Sequence, residues 1–327
     1  MAENNGITVW GSFRHMADIG TYRLVADTGE CVVIRVENES GEGDMIVHKV
    51  FDGVYLMYND FHMSYYNSEY QTIETMLAVD YCREGSLTLN CDNGLYQLKK
   101  AGSVCIDSRV HHKGKVSFPT NHFHGITIGF ESKLAEKTLM EQVSGIPLDL
   151  YAIRDKFCKK ENTFMIKENN DLKRLFTDLY HVPERAKQNY FRAKVLELLV
   201  YLSAIETENT ASEKTYFYKD HIEKAGAVQR LITEDLKVSH TIDELSKHFD
   251  ISPTALKNCF KHVYGKPIFT YLTEYRMQKA AELLIGRADL SIGDIAYSVG
   301  YESGGKFSGA FKKIMGMTPK EYRNQPH

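Results

Sequence analysis

The chain of 327 residues lacks the features that mark membrane and secreted proteins. Its longest apolar run, Val195 to Leu202, contains Glu197 and is far shorter than the roughly 20 apolar residues that a membrane-spanning helix needs. The opening residues, MAENNGITVW, have neither the basic segment nor the apolar core of a signal peptide. We therefore expect a soluble, cytoplasmic protein that has no membrane as a partner.

Signatures of catalysis are also missing. No phosphate-binding loop, no paired acid and base, and no nucleophile with a supporting local motif stands out. The cysteines are scattered, without a C-x-x-C pair, at Cys31, Cys82, Cys91, Cys105, Cys158 and Cys259. We expect no enzyme and no cofactor, and we interpret the cysteines as buried thiols. A redox-sensing pair remains open, because spacing does not show which sulfurs meet.

An overall excess of positive charge, typical of nucleic-acid-binding proteins, is absent, since the net charge is -3. The charge is unevenly distributed, however. Residues 221–327 carry 15 Lys and Arg against 12 Asp and Glu, whereas the rest of the chain carries 25 against 31. This net basic C-terminal third is where a nucleic-acid-binding surface is expected, and its modest charge predicts binding that depends on specific docking.

The same basic third contains an internal repeat with an offset of 50 to 52 residues. The matching pairs are Ile242 and Ile292, Leu245 and Ile295, Leu256 and Phe307, Phe260 and Phe311, Lys261 and Lys312, Gly265 and Gly316, and Pro267 and Pro319. Such a repeat indicates one supersecondary unit used twice.

Each copy has the pattern of a helix-turn-helix unit. In the first, Thr241 and Glu244 form the S/T-x-x-E pattern of a capping box. Ser252 and Pro253 then have the form of an N-cap and first residue of a second helix. The second copy places the corresponding start, bend and restart at Ser291, Asp294, Gly300 and Ser303. The segment between the copies, 268–285, has helical periodicity and would span about 27 Å, so one chain could address two successive major grooves of DNA.

This arrangement resembles the DNA-binding domain of the AraC/XylS family of bacterial transcription regulators. The resemblance rests on the repeat, on Arg276 and Ala280 of the linking helix, and on a C-terminal series of positions. That series is Ile295, Ala296, Gly300, Tyr301, Phe307, Phe311, Lys312, Gly316, Thr318, Pro319, Tyr322 and Arg323.

The resemblance implies a set of DNA-contacting residues. In the first unit, Thr254, Lys257 and Asn258 should face base edges and Lys261 the phosphates, after the Ser252 cap. In the second unit, the corresponding positions are Gly304, Gly305, Lys306 and Gly309. Three glycines there remove side chains able to contact bases, so we expect the first unit to carry most direct readout. The second would anchor through Ser303, Lys306, Lys312 and backbone amides.

The N-terminal part of the chain has the texture of short β-strands from about residue 45 to residue 130, with a hairpin around Asp92-Asn93-Gly94. Such a pattern predicts a small antiparallel barrel or sandwich. The resemblance implies a cupin-like sensor domain. The predicted fold class is α+β: an antiparallel β-barrel with following helices, then an all-α domain of two helix-turn-helix units.

We expect four segments: a sensor and ligand-binding domain at 1–160, a helical segment at 161–206, a linker at 207–220 and the DNA-binding domain at 221–327. Within the helical segment, an apolar stripe follows one face. Its members are Phe191, Val195, Leu198, Leu199, Leu202 and Ile205. This stripe is interpreted either as cover for the barrel or, as the resemblance implies, as a homodimer interface.

Candidate ligand-binding residues are aromatic and histidine side chains of the predicted barrel, which combine apolar bodies with polar tips. They are Tyr55, Tyr58, His62, Tyr66, His122 and His124. His122 and His124 share a strand face with Ile126, Ile128 and Phe130, which we expect to be the inward face. An H-x-H pair on a barrel strand is also how metal-binding cupins present ligands. The acidic residue expected after the pair is missing, so we favour pocket histidines and no metal.

The sequence thus predicts a DNA-binding transcription regulator, in the activating mode common in the family, controlled by a small-molecule effector. Expected partners are promoter DNA, the effector, a second copy of the chain and RNA polymerase. Two alternatives remain: a metal-dependent cupin enzyme with an appended DNA-binding domain, and a ligand-independent DNA-binding protein with a filled barrel.

Overall fold

A computed structural model describes residue 13 and residues 21–68, 76–90, 95–109, 114–143, 145–158, 163–166, 169–210 and 216–325. The chain divides into two compact units, Met1–Tyr216 and Phe217–His327. The predicted α+β class is confirmed, because antiparallel strands dominate the first unit and helices the second. Regular structure occupies both ends of the segment expected as a linker, 207–220: a helical turn at Thr207–Thr210 and a strand at Tyr216–Tyr218.

The first unit is built on strands that pair antiparallel throughout the described residues. Their bounds are β1 (Tyr22–Asp27), β2 (Cys31–Asn38), β3 (Gly41–Phe51), β4 (Val54–His62), β5 (Tyr65–Ser68), β6 (Met76–Asn90), β7 (Leu95–Lys100), β8 (Val104–Asp107), β9 (Gly114–Ser117), β10 (Phe123–Glu131) and β11 (Thr163–Ile166). The predicted hairpin is present as β6 and β7, and its turn at 91–94 lies outside the described residues.

The strand order β1-β2-β3-β4-β10-β6 forms the main sheet. The first half of the long strand β6 pairs with β10 and β8, and its second half pairs with β7 and β9. A register shift at His124 and Gly125 accompanies this change of partners. Because β6 takes part in both groups of strands, the sheet curls into a barrel-like shape with an inner and an outer face.

The two faces bury separate apolar clusters, because successive side chains of a strand point to opposite sides. The inner cluster includes Val47, Tyr55, Phe61, Phe118 and Phe123. The outer cluster joins other positions of the same strands, among them Leu56, Ile126, Ile128 and Phe130, to the helices that follow the barrel.

The helices of the first unit are α1 (Ser132–Gln142), α2 (Leu150–Cys158), α3 (Asn170–Asp178), α4 (Lys187–Ala204) and the short α5 (Thr207–Thr210), with a 3-10 turn at Glu184–Ala186. On α4, the predicted apolar stripe is buried, since Phe191, Val195, Leu198, Leu199 and Leu202 are all fully inaccessible to solvent. This stripe therefore covers the outer face of the sheet, and a dimer through α4 would have to use another face of the helix.

The second unit follows the strand Tyr216–Tyr218 (β12) with α6 (Lys219–Glu234), α7 (Ile242–His248), α8 (Pro253–Tyr264), α9 (Ile268–Gly286), α10 (Ile292–Ser298), α11 (Gly304–Met315) and α12 (Pro319–Arg323). The linking helix α9 contributes Met277, Ala280 and Leu284 to a core that also contains Phe307 and Phe311. None of the helices in the described ranges combines the length and the apolar character needed to cross a bilayer.

Candidate DNA-binding surface and ligand cavity

The first helix-turn-helix unit consists of α7 and α8, and its ends are fixed by local hydrogen bonds. The Thr241 hydroxyl accepts from the Glu244 amide at 3.2 Å, and the Glu244 carboxylate accepts from the Thr241 amide at 2.8 Å. This reciprocal capping box lowers the pKa of Glu244, chiefly because the Thr241 backbone N–H stabilises its ionised form. Ser252 caps α8 by accepting from the Ala255 amide, with Pro253 at the first helical position.

The second unit, α10 and α11, repeats this geometry. Ser291 and Asp294 form the same capping box, and Ser303 caps α11 by accepting from the Lys306 amide. The helices α8 and α11 both end at a left-handed glycine, Gly265 with φ 75° and Gly316 with φ 82°. The sequence repeat is therefore a repeat of three-dimensional structure.

The turns between the paired helices also correspond. Asp250 in the first unit has φ 47°, and Gly300, fifty positions later, has φ 83°. A side chain at Gly300 would meet the Leu236 carbonyl oxygen, since an ideal Cβ would lie 2.0 Å from it. Arg276 of the linking helix donates to that same carbonyl at 2.5 Å. The glycine is required here by its positive φ and by this close approach.

On α8, the residues predicted to contact DNA form one exposed face. Thr254, Lys257, Asn258 and Lys261 follow the spacing i, i+3, i+4, i+7, and all four are exposed. The opposite face is buried at Leu256, Cys259, Phe260 and Val263. The apolar face thus fixes α8 against its own unit and leaves the polar face open to a partner.

On α11, the corresponding face is exposed but carries few side chains. At the repeat offset, Gly305 takes the place of Thr254 and Gly309 that of Asn258, and both glycines are exposed. A Cβ at Gly309 would meet no atom within 4 Å, and one at Gly305 would meet only the Ser303 hydroxyl, at 3.8 Å. Packing within the unit therefore does not require glycine at either position. The remaining predicted residues of this face, Lys306 and Lys312, are exposed as well.

The inner face of the barrel encloses a cavity with a volume of about 940 Å³, its open mouth included. Most of its wall is apolar or aromatic, and the described residues that line it include Phe13, Tyr55, Met57, Phe61, Tyr66, Met76, Leu87, Val116, Phe118 and Phe123. A concave, largely apolar space with a few polar groups is typical of a small-molecule site. The barrel interior is therefore not filled by its own side chains.

A buried ionic network forms the polar part of this wall. Asp80 accepts from Lys99 Nζ at 2.9 Å, from an Arg109 guanidinium nitrogen at 2.5 Å and from the Thr127 hydroxyl at 2.8 Å. The side chains of these three charged residues are at most 11% exposed. Burial alone would raise the pKa of Asp80, but the positive charges of Arg109 and Lys99 outweigh it, so the pKa is lowered and the carboxylate stays ionised.

Charge balance in this network does not depend on Asp80 alone. Asp107, also buried, accepts from the Arg109 backbone amide at 2.6 Å. The pKa of Lys99 is raised despite its burial, because Asp80 and then other acidic neighbours favour the ammonium form. The cavity thus has permanently charged groups at one part of an otherwise apolar wall, and these can bind the polar end of a ligand.

Known proteins match the C-terminal part of the chain. A family model described as "Helix-turn-helix domain" matches residues 245–325. A "Putative AraC-like transcription regulator" of Streptomyces lividans is 39% identical over 89 residues, which is 27% of this chain and 29% of that protein. The "HTH-type transcriptional regulator ArgR" of Pseudomonas aeruginosa is 33% identical over 95 residues, 29% of each chain.

A solved structure shares the same region. The C-terminal domain of AraT, a response regulator from Geobacillus stearothermophilus, is 35% identical and covers 31% of this chain and 83% of that one, with a TM-score of 0.29. The matched helix-turn-helix sequence coincides with the two capped units described above. The C-terminal part of the chain is an AraC-type helix-turn-helix domain. The chain spans about 29% of the length of the two curated relatives.

In the first unit, two of the six residues predicted to bind ligand line the cavity. Tyr55 and Tyr66 are part of its wall, and burial raises the pKa of Tyr66 to about 12, so its phenol stays protonated. Tyr58, also predicted to bind ligand, does not line the cavity. Its side chain lies on the outer face, where the hydroxyl donates to the Leu179 carbonyl at 2.5 Å and the ring packs near Phe191.

The histidine pair also lies on the outer face. His124 does share a face with Ile126, Ile128 and Phe130 as predicted, but that face packs on the helices rather than lining the cavity. His124 packs edge to face with Tyr180, and burial lowers its pKa. The neighbouring imidazoles of His62 and His122 lie outside as well, 4.8 Å apart between ring centroids. Among the described residues, no histidine lines the cavity.

The residues that sequence reasoning missed are Asp80, Lys99 and Arg109. A single acidic residue within the apolar run Met76 to Cys82 was the available signal, because an ionised side chain inside a buried strand needs a partner. Its partners lie 19 and 29 positions later, and strand pairing alone brings them together. The five described cysteines are free thiols, and Cys91 lies outside the described residues.

Proposed function

We propose that this protein is a sequence-specific DNA-binding transcription regulator whose N-terminal unit binds a small-molecule effector. The observation that carries the proposal is the pair of equivalent helix-turn-helix units joined by α9. At about 1.5 Å per residue, this linking helix is roughly 28 Å long, which is of the order of one turn of B-DNA.

In the proposed complex, α8 enters the major groove and supplies base contacts through Thr254, Lys257 and Asn258. Lysine and asparagine side chains can donate to the acceptor atoms that bases expose there. The second unit lies in the next groove and holds the backbone through Lys306, Lys312 and the capped start of α11. Backbone amides at a helix N-terminus and lysine side chains bind phosphate without regard to sequence.

The proposed effector has an apolar body and a hydrogen-bonding or ionised end. The apolar body matches the aromatic wall, and its polar end would meet Asp80, Lys99 and Arg109. Regulation then requires that the effector bind DNA-competent and DNA-incompetent arrangements with different affinity. We further propose activation through RNA polymerase, a homodimer as the working form, and action in the cytoplasm, where promoter DNA lies.

Two classes of substitution test the DNA-binding proposal. Lys257→Ala and Asn258→Ala should each cost about 1 to 3 kcal/mol on the preferred sequence and relax the preference at the bases contacted. Lys312→Ala should weaken binding to all DNA sequences by the same factor and reduce the salt dependence of binding, because it removes a phosphate contact. Fluorescence anisotropy with full-length protein at several salt concentrations measures both effects.

Lys137→Ala is the matched control, since it removes an exposed lysine of α1 in the other unit and should leave DNA binding unchanged. Equal losses on specific and random DNA for Lys257→Ala and Asn258→Ala would contradict their assignment to base contacts.

A further inference from the structure

Two strands carry metal-ligating side chains to one place on the outer face of the barrel. β4 and β10 pair with Phe61 opposite Phe123, and both of these rings line the cavity. Because side chains alternate along a strand, the residues on either side of the two phenylalanines point outward. Asp60 and His62 therefore lie beside His124 and His122 on the side of the sheet away from the cavity.

Three of these side chains converge. One ligand atom from each of Asp60, His62 and His122 lies within 4.8 Å of the other two. His62 Nε2 is 3.2 Å from Asp60 Oδ1. In a tetrahedral zinc site with bonds of about 2.0–2.2 Å, neighbouring ligand atoms are roughly 3.3–3.6 Å apart. The Asp60–His62 pair is close to this separation, and the site would close if the His122 ring moved toward this pair.

The hydrogen bonding of His122 is incomplete in the part of the chain that the structure describes. Its Nδ1 is buried and has no hydrogen-bond partner. Its Nε2 lies 3.7 Å from Glu84 Oε2, which is beyond ordinary hydrogen-bond distance. An imidazole normally satisfies both nitrogens, and a metal ion is one of the partners that can satisfy one of them.

The site is accessible and chemically selective. The side chains of His62 and Asp60 are 65% and 51% exposed, so a hydrated ion can reach them. Two imidazole nitrogens and one carboxylate form a donor set that suits zinc, whereas magnesium and calcium prefer oxygen ligands alone. Glu84, on the adjacent strand β6, is close enough to His122 to supply a fourth ligand after a side-chain rotation.

We propose that Asp60, His62 and His122 form a zinc-binding site on the outer face of the barrel, with Glu84 as the fourth ligand. The site differs in place from the cavity, whose described lining contains no imidazole. An ion here would cross-link the end of β4 to the start of β10. These are the positions next to Phe61 and Phe123, so zinc would also order one wall of the cavity.

The test uses full-length protein purified without a histidine tag, stripped with a chelator and titrated with zinc against a chromophoric competitor. One equivalent should bind, and His62→Ala and His122→Ala should each weaken binding at least tenfold. Glu84→Gln should weaken it less than either histidine variant. His181→Ala removes an exposed histidine outside the cluster and should bind zinc like the parent protein.

Cobalt(II) gives a second measurement that does not depend on stability. The parent protein should show the intense visible absorption of four-coordinate cobalt, and both histidine variants should lose it, while circular dichroism confirms that they remain folded. Absence of saturable zinc binding, or binding that survives both His62→Ala and His122→Ala, would overturn the proposal. Neither result bears on DNA binding, because the cluster lies wholly in the other unit.

Discussion

Replacing Gly309 by alanine tests the conclusion that α11 has glycine on its exposed face for reasons other than packing. Gly309 lies within α11, and an added Cβ would enter open space. Alanine in a helix interior is more stable than glycine by about 0.8 to 1.0 kcal/mol. No contact would have to move, so nearly all of this gain should appear as stability of the second unit.

For a domain of roughly 100 residues, a gain of about 1 kcal/mol raises the melting temperature by about 4 °C or more. Calorimetry of the full chain should show this rise in the transition of the second unit. Hydrogen exchange of peptides from α11 should slow to match. Gly316→Ala is the control, because this glycine has φ 82° and the same change should destabilise by about 1 kcal/mol.

DNA binding of Gly309→Ala then shows what the glycine does. If α11 mainly anchors the backbone, affinity and sequence preference should stay within about threefold of the parent, an energy difference under about 0.7 kcal/mol. Faster hydrogen exchange of α11 in Gly309→Ala would contradict the conclusion that a methyl group fits at this position without a clash. A stable variant with a large loss of affinity would show that DNA approaches the backbone too closely for a methyl group.

Two further predictions concern the N-terminal unit. His48 is buried against Phe191, and burial, followed by the charge of Lys187, lowers its pKa to about 4. In the unfolded chain the histidine has a pKa near 6.5, so between pH 6.5 and 4 the unfolded state binds more protons than the folded state. The free energy of unfolding should therefore decrease as the pH falls through this window, by up to about 1.4 kcal/mol per pH unit. Urea unfolding at several pH values should show that the free energy of unfolding depends less on pH in His48→Leu than in the parent protein. Asp80→Asn leaves two buried cations without this carboxylate and should cost about 3 to 5 kcal/mol by the same assay; a cost below 1 kcal/mol would contradict the buried network.

The C-terminal unit could be predicted closely because its determinants are local. The capping box at Thr241 and Glu244 lies within one helical turn, and the pattern of three-residue spacing specifies it. A third capping box with the same spacing, Thr318 with Glu321, starts α12. Once the exposed face of α8 is identified, the repeat offset predicts which residues of α11 form the equivalent exposed face.

The cavity could be predicted only in part because its determinants are long-range. Alternation along β10 correctly groups His124 with Ile126, but it does not say which sheet face opens to a cavity and which is covered by helices. Here the helices cover the aliphatic face. The pairing of Asp80 with Arg109 depends on the register of β6 and on the chain after β8, neither of which periodicity specifies.

The central claim is that two unequal helix-turn-helix units address successive major grooves, with α8 carrying most base contacts. Binding-site selection from random DNA with the full-length protein tests it most directly. We expect two conserved blocks about one helical turn apart, roughly 10 base pairs, one strongly constrained and one weakly constrained. Lys257→Ala or Asn258→Ala should relax only the strongly constrained block. Two equally constrained blocks, or a single block, would contradict the account.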